Sequence, residues 1–215
     1  MSWVYHYTNA YGSMTQAEMQ QNVDEIYAQL YSNYGWTVNA ICAVLGNIQR
    51  ESYINPAQTQ GGFPVGGTRG GYGLCMWTPQ TKIKNWLQVN NHSIFSGYWQ
   101  IYAMNDETFP SASDPQYSLN APITYQEFKH SGRTVAELTE IFMRYYERAG
   151  VSALEERIQY AENWYRYIMG TDPPPSPTPT PPTPPDPPPS PDPDPSGYKS
   201  HTKAWLFLRS RRLRF

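Results

Sequence analysis

The sequence predicts a mainly helical domain over residues 1–170, carrying one glycine-rich loop or small β-hairpin, with a proline-rich linker and a short basic tail outside the fold. Three observations predict it. Apolar residues recur at spacings of three and four in several segments, the period of a helix that buries one face. Those segments are bounded by helix start and stop signals. Finally, 15 of the 21 prolines fall between Pro173 and Pro195, where the missing backbone donor and fixed φ exclude helix and sheet.

Taken in order, Thr15-Gln16-Ala17-Glu18 reads as a capping box and opens a helix over 16–33. Met19, Val23, Ile26, Tyr27, Leu30, Tyr31 and Tyr34 form its stripe, and Gly35 supplies the left-handed stop. Thr37 caps a second helix, with Ile41, Leu45, Ile48 and Ser52 along one face, which Asn55-Pro56 ends near Ser52. Seven glycines between 57 and 73, with few β-branched residues, predict a mobile loop or short hairpin. Helix returns after Pro79 with Ile83, Trp86 and Leu87, and again around Tyr98–Met104 in an otherwise irregular 91–122. Thr134 to Glu137 and Ser152 to Glu155 repeat the capping box, opening helices to about Arg148 and to Met169, with Gly150 and Gly170 as stops.

Composition excludes several functions. No apolar run approaches the roughly 18 residues of a membrane span. The opening Met1-Ser2-Trp3-Val4-Tyr5-His6 lacks a basic-then-apolar leader, so neither a signal peptide nor a transmembrane helix is expected. Cys42 and Cys75 make no disulfide framework, and neither they nor the scattered His6, His92, His130 and His201 have zinc-ligand spacing; no metal or cofactor is expected. A cysteine peptidase is disfavoured, because both thiols sit in apolar segments and read as buried, reduced hydrophobes.

Charge divides along the chain. Residues 1–170 carry 14 acids and 10 bases, the linker 171–198 four aspartates, and the tail 199–215 six bases and no acid. The linker should be an extended rod of up to about 70 Å at roughly 3.1 Å per residue. The tail mixes bases with Trp205, Phe207 and Phe215, suiting an anionic wall polymer, a membrane surface or a virion partner. Nucleic acid is not expected, because the domain itself is acidic.

The chemistry centres on Glu51, in the last turn of the second helix, after which the next acid is Asp106. The negative end of a helix disfavours an ionised carboxylate, the direction needed in a group that donates a proton. Glu51-Ser52 with Asn55-Pro56, the glycine-rich stretch, and Gly71-Tyr72-Gly73-Leu74-Cys75-Met76-Trp77-Thr78-Pro79 together resemble the phage tail lysozyme family, lysozyme-like glycosidases of bacterial cell wall. Phe142-Met143-Arg144-Tyr145-Tyr146-Glu147-Arg148-Ala149-Gly150, Arg157, Tyr160-Ala161 and Trp164-Tyr165 extend the resemblance over 13–168.

The resemblance implies a lysozyme-like α+β fold, peptidoglycan as substrate and Glu51 as general acid. Ser52, Asn55, Tyr72, Gly73, Trp77 and Thr78 would bind substrate, Tyr72 and Trp77 by stacking on sugar rings. Trp86 and Trp99 read as core. Residues 52–105 hold no second acid, so either Asp106, Glu107 or Asp114 folds back into the cleft, or one Glu works alone, as in lytic transglycosylases. Met76 stands where the family pattern has Gln, which keeps open a non-catalytic wall-binding or tail module. A monomer is expected, acting in a phage virion tail or released from the host cytoplasm at lysis.

Overall fold

A computed structural model describes residues 2–150 and 153–171; the linker from residue 172 on, the tail and Ser152 lie outside the described residues. Seven α-helices occur among them: α1 Gln16–Tyr27, α2 Val38–Ser52, α3 Thr81–Val89, α4 Gly97–Asn105, α5 Tyr125–Lys129, α6 Val135–Phe142 and α7 Leu154–Met169. Two π-helical turns, Ala28–Asn33 and Met143–Glu147, extend α1 and α6.

The caps act as the sequence predicts. Thr15 accepts from the Glu18 amide while the Glu18 carboxylate accepts from the Thr15 amide at 2.8 Å, and Thr134 and Glu137 repeat the pair. Helix α5 is an addition: Thr124 and Glu127 form a third capping box just after the irregular 91–122, where the sequence reading assigns no element. Helix α7 departs from expectation at its start, where Ala153, at φ +40°, holds the N-cap position without a side-chain bond. Gly35 and Gly170 are left-handed as expected, but the α6 extension stops at left-handed Arg148 rather than Gly150.

Helix α2 is the axis of the fold. Its residues from Ala40 through Gln49 are all buried, so the single apolar face read from the sequence is in fact a helix covered on every side. Helix α7 crosses it so closely that a Cβ on Gly46 would lie 2.3 Å from the Arg157 carbonyl oxygen and 2.6 Å from the Ala161 Cβ. Around this pair, Ile41, Leu45 and Ile48 join Phe128, Leu138, Phe142, Tyr146 and Trp164 in one core.

The end of α2 is unusual. Tyr53 and Ile54 both adopt left-handed backbone, φ +54° and +58°, which costs an ordinary L-residue roughly 1–2 kcal/mol each. Polar side chains hold the turn. Asn22 Nδ2 donates to the Ile54 carbonyl at 2.9 Å; Asn55 accepts from the amides of His6 and Ala57 and donates to the His6 carbonyl. The aromatic N-terminal segment is thereby woven into the domain, with Trp3 lying where a side chain on Gly97 would stand.

The glycine-rich segment forms isolated bridges, Thr8 with Gln58, Thr59 with Tyr72 and Tyr72 with Trp77, so the expected hairpin never extends into a ladder among the described residues.

Candidate active site

A cleft of about 440 Å³ opens where the end of α2, the glycine-rich segment, the π turn after α6 and the start of α7 meet. Glu51 lies in it, 21% exposed, brought there because the left-handed Tyr53 ends α2 two residues later. Its carboxylate is bonded to the Arg157 guanidinium at 2.5 Å, and that side chain is only 3% exposed. Arg157 reaches across from the first turns of α7 and also donates to Asn47 Oδ1 at 3.0 Å. The helix-end potential read from the sequence is therefore answered by a fixed positive charge.

A second carboxyl group shares the cleft, and it is none of the three expected. Glu147, the last residue of the π turn, lines it beside Glu51, Cys75 and Arg157. Although the residue is half-buried, its Oε1 is sealed from solvent without a hydrogen-bond partner. Burial first, and the negative charge of Glu51 second, push its carboxyl well above the usual carboxylate range; Arg157 and the hydrogen bond from the Cys75 thiol pull the other way and do not prevail. Asp106, by contrast, turns back on Thr108, and Glu107 pairs with Lys129 at 3.4 Å. Asp114 does not line the cleft either.

The remaining expected residues are not brought together. Thr78 lines the cleft, its hydroxyl donating to the Met76 carbonyl. Met76 lies beside it at φ +45°. Ser52 is buried and its hydroxyl bonds back to the Ile48 carbonyl, while Asn55 is committed to the N-terminal segment. Gly73, at φ +79°, approaches the Gln100 amide so closely that a Cβ there would stand 2.5 Å from its Oε1.

Tyr72 and Trp77 present no free face to a sugar. Tyr72 is buried with Lys84 Nζ 4.1 Å from its ring centre and its hydroxyl donating to the Ile94 carbonyl. Trp77 is packed edge-on against Phe109. The aromatic ring on the cleft wall is Tyr11, 40% exposed, standing edge-on to Tyr53 at 4.4 Å and paired with Arg50. Sequence reasoning passed over it because it lies in the N-terminal lead, far from the motifs.

Both cysteines are buried. Burial pushes the Cys42 thiol up to about 12, and burial with the Glu147 charge pushes Cys75 well above its ordinary value. Thiols in that state are not nucleophiles at neutral pH. Iodoacetamide applied to the folded protein is expected to leave both unmodified by mass spectrometry, with alkylation appearing only on denaturation; rapid labelling of the native protein would contradict it. Among the described residues no cluster of His, Cys, Asp or Glu could hold a metal ion, and no helix is long and apolar enough to cross a membrane.

The model of the phage tail lysozyme family matches residues 21–168, a span that includes Glu51, Glu147 and Arg157. Morphogenesis protein 1 of Bacillus phage B103 is 36% identical over 167 residues, which is 78% of this chain and 44% of that protein. The chain thus spans less than half the length of that relative.

Proposed function

The chain belongs to the phage tail lysozyme family, and from that premise we propose that it cleaves the glycan strands of bacterial peptidoglycan. The bond is that between N-acetylmuramic acid and N-acetylglucosamine, and Glu51 is the carboxyl group through which the leaving glycosidic oxygen is protonated. The observation that carries this reading is the position of Glu51, held at a helix end in a polar cleft that a second carboxyl group shares.

The walls fit a polyhydroxylated strand. Gln58, Gln60 and Thr78 offer hydrogen-bonding groups, and Tyr11 offers a ring face for one pyranose. Two carboxyl groups favour hydrolysis over transglycosylation, because a second one can manage the proton of an attacking water. The relative's name, a morphogenesis protein, favours action within a virion over action as a free lysin. Residues 199–215, six bases without an acid, would hold the domain on an anionic wall polymer or membrane surface.

Digestion of purified peptidoglycan tests the reading. Mass spectrometry should show fragments ending in a reducing muramic acid, one water heavier than the anhydro sugar that a transglycosylase leaves. Anhydro ends would reassign the reaction, and intact glycan after prolonged incubation would overturn the assignment as an enzyme.

A further inference from the structure

Three tyrosines stand out of the surface along one short stretch of the N-terminal segment: Tyr5 is 48% exposed, Tyr7 43% and Tyr11 40%. The stretch is fastened down by its backbone. Asn22 accepts from the Val4 amide and donates to the Val4 carbonyl, both at 2.8 Å, and Asn55 does the same for His6 at 3.1 and 2.8 Å. The Thr8 carbonyl accepts from the Thr59 amide at 2.8 Å. Exposed rings on so well held a segment are not the loose end of a chain, and large apolar surfaces left open to water mark places where something binds.

Tyr5 and Tyr7 face the same way, since both rings meet Phe95, in the turn before α4. Tyr5 stacks on it with centroids 5.2 Å apart and planes 4° apart, and Tyr7 meets it edge-on at 4.9 Å. Rings already braced by a third ring lose little freedom when a ligand settles on them. The same segment leads to the cleft. The Tyr7 hydroxyl lies 3.0 Å from where a Cβ on Gly66 would stand, and Asn9 Nδ2 donates to the Phe63 carbonyl at 3.0 Å. Thr8 bridges to Gln58, which lines the cleft together with Tyr11. From Tyr5 to Tyr11 the chain spans at most about 20 Å, the scale of a few sugars.

Resting on the glycan-cleaving reading, we propose that Tyr5 and Tyr7, braced by Phe95, are a platform for the peptidoglycan strand outside the cleft, on which sugars beyond the bond to be cut lie against the tyrosine rings. The chemistry of the surface selects this occupant. A pyranose offers an apolar C–H face and a rim of hydroxyls, and tyrosine answers with an apolar ring and a polar tip. Residues 2–17 contain no Asp, Glu, Lys or Arg, so they hold no fixed charge to draw an anionic membrane or a nucleic acid. The segment precedes residues 21–168, the span that the family model matches, so that likeness assigns it no role. Its effect is a preference for long strands over short fragments.

Binding of peptide-free peptidoglycan strands of graded length to the full-length Glu51→Gln protein tests the proposal. Calorimetry at about 0.5 M salt screens the six bases of 199–215 from the carboxylates of muramic acid. Affinity should rise with strand length beyond the sugars the cleft holds, and adding Tyr5→Ala with Tyr7→Ala should weaken binding of long strands by about 10- to 100-fold. Tyr31→Ala removes a tyrosine of similar exposure outside this segment and should not change the affinity. Affinity independent of length, long strands bound equally with and without the two tyrosines, or an equal loss in Tyr31→Ala would overturn the proposal. So would loss of binding to phosphatidylglycerol vesicles with glycan binding intact, which would make the surface a membrane contact.

Aromatic ¹³C NMR with the tyrosines in place needs no folded double variant. Long strands should shift the Tyr5 and Tyr7 resonances, whereas a disaccharide should leave them where they are. Unmoved signals with long strands bound would refute the platform whether or not the protein cuts glycan. Failure of the glycosidase reading has a different signature: strands would bind across the tyrosines yet stay intact with Glu51 present.

Discussion

Replacing Glu51 with Gln is expected to abolish glycan cleavage while leaving the fold standing. The amide keeps the size of the carboxyl and can still accept from Arg157, so the buried guanidinium is not left without an acceptor, and Asn47 continues to bind it. What the amide cannot do is carry and release a proton. Positioned acid catalysis contributes roughly 10²–10⁴-fold, and a loss of at least that size is expected in the rate of reducing-end formation. The variant should melt somewhat lower than wild type, because a largely buried arginine loses the negative charge paired with it. Circular dichroism alongside the assay distinguishes loss of chemistry from loss of structure. Activity within tenfold of wild type would remove Glu51 from the mechanism.

The second large effect is one of packing. Gly46→Ala places a methyl group 2.3 Å from the Arg157 carbonyl oxygen and 2.6 Å from the Ala161 Cβ, and neither neighbour is the far end of a flexible chain that could swing away. Helix α7 must move off α2, at a cost of about 3 kcal/mol. For a domain of this size that is a fall of roughly 6–12 °C in the melting midpoint. The displaced helix carries Arg157, so the cleft should suffer along with stability. A variant that melts within a degree or two of wild type would show that the helices do not approach as closely as described.

Much of this was readable from local chemistry. Thr37, Gly35 and Asn55-Pro56 define the second helix and its neighbours, and Glu51 stands out as a lone acid at a helix end. Glu147 was not readable, for a definite reason. In a regular helix it would align with Glu140 and Arg144, seven and three residues back, which form an exposed pair at 2.7 Å. The π turn carries one extra residue around the axis and rotates Glu147 toward the cleft. The sequence carried little sign of it: Leu138, Ile141, Phe142 and Tyr146 keep the i, i+3, i+4, i+8 spacing of an ordinary helix, and among these buried residues only Met143 falls off that stripe.

Tyr72 and Trp77 show a different limit. Flanked by glycines and polar residues they look exposed, but burial is settled by distant partners: Lys84 and Ile94 for Tyr72, Phe109 for Trp77. Asp106, Glu107 and Asp114 were reasonable candidates for a second acid on count alone. Their side chains serve a turn, a lysine and a surface instead.

The bond between Glu51 and Arg157 spans 106 residues of chain. A ribosome making this protein finishes the acid early, but the arginine bonded to it, and the glutamate that shares its cleft, emerge only near the end of the domain. Until α7 has left the exit tunnel and settled on α2, the nascent polypeptide has helices but no working cleft. A domain built this way has no assembled cleft for as long as its synthesis lasts, whatever chemistry that cleft performs afterwards, because the order of its own sequence puts the last wall at the end.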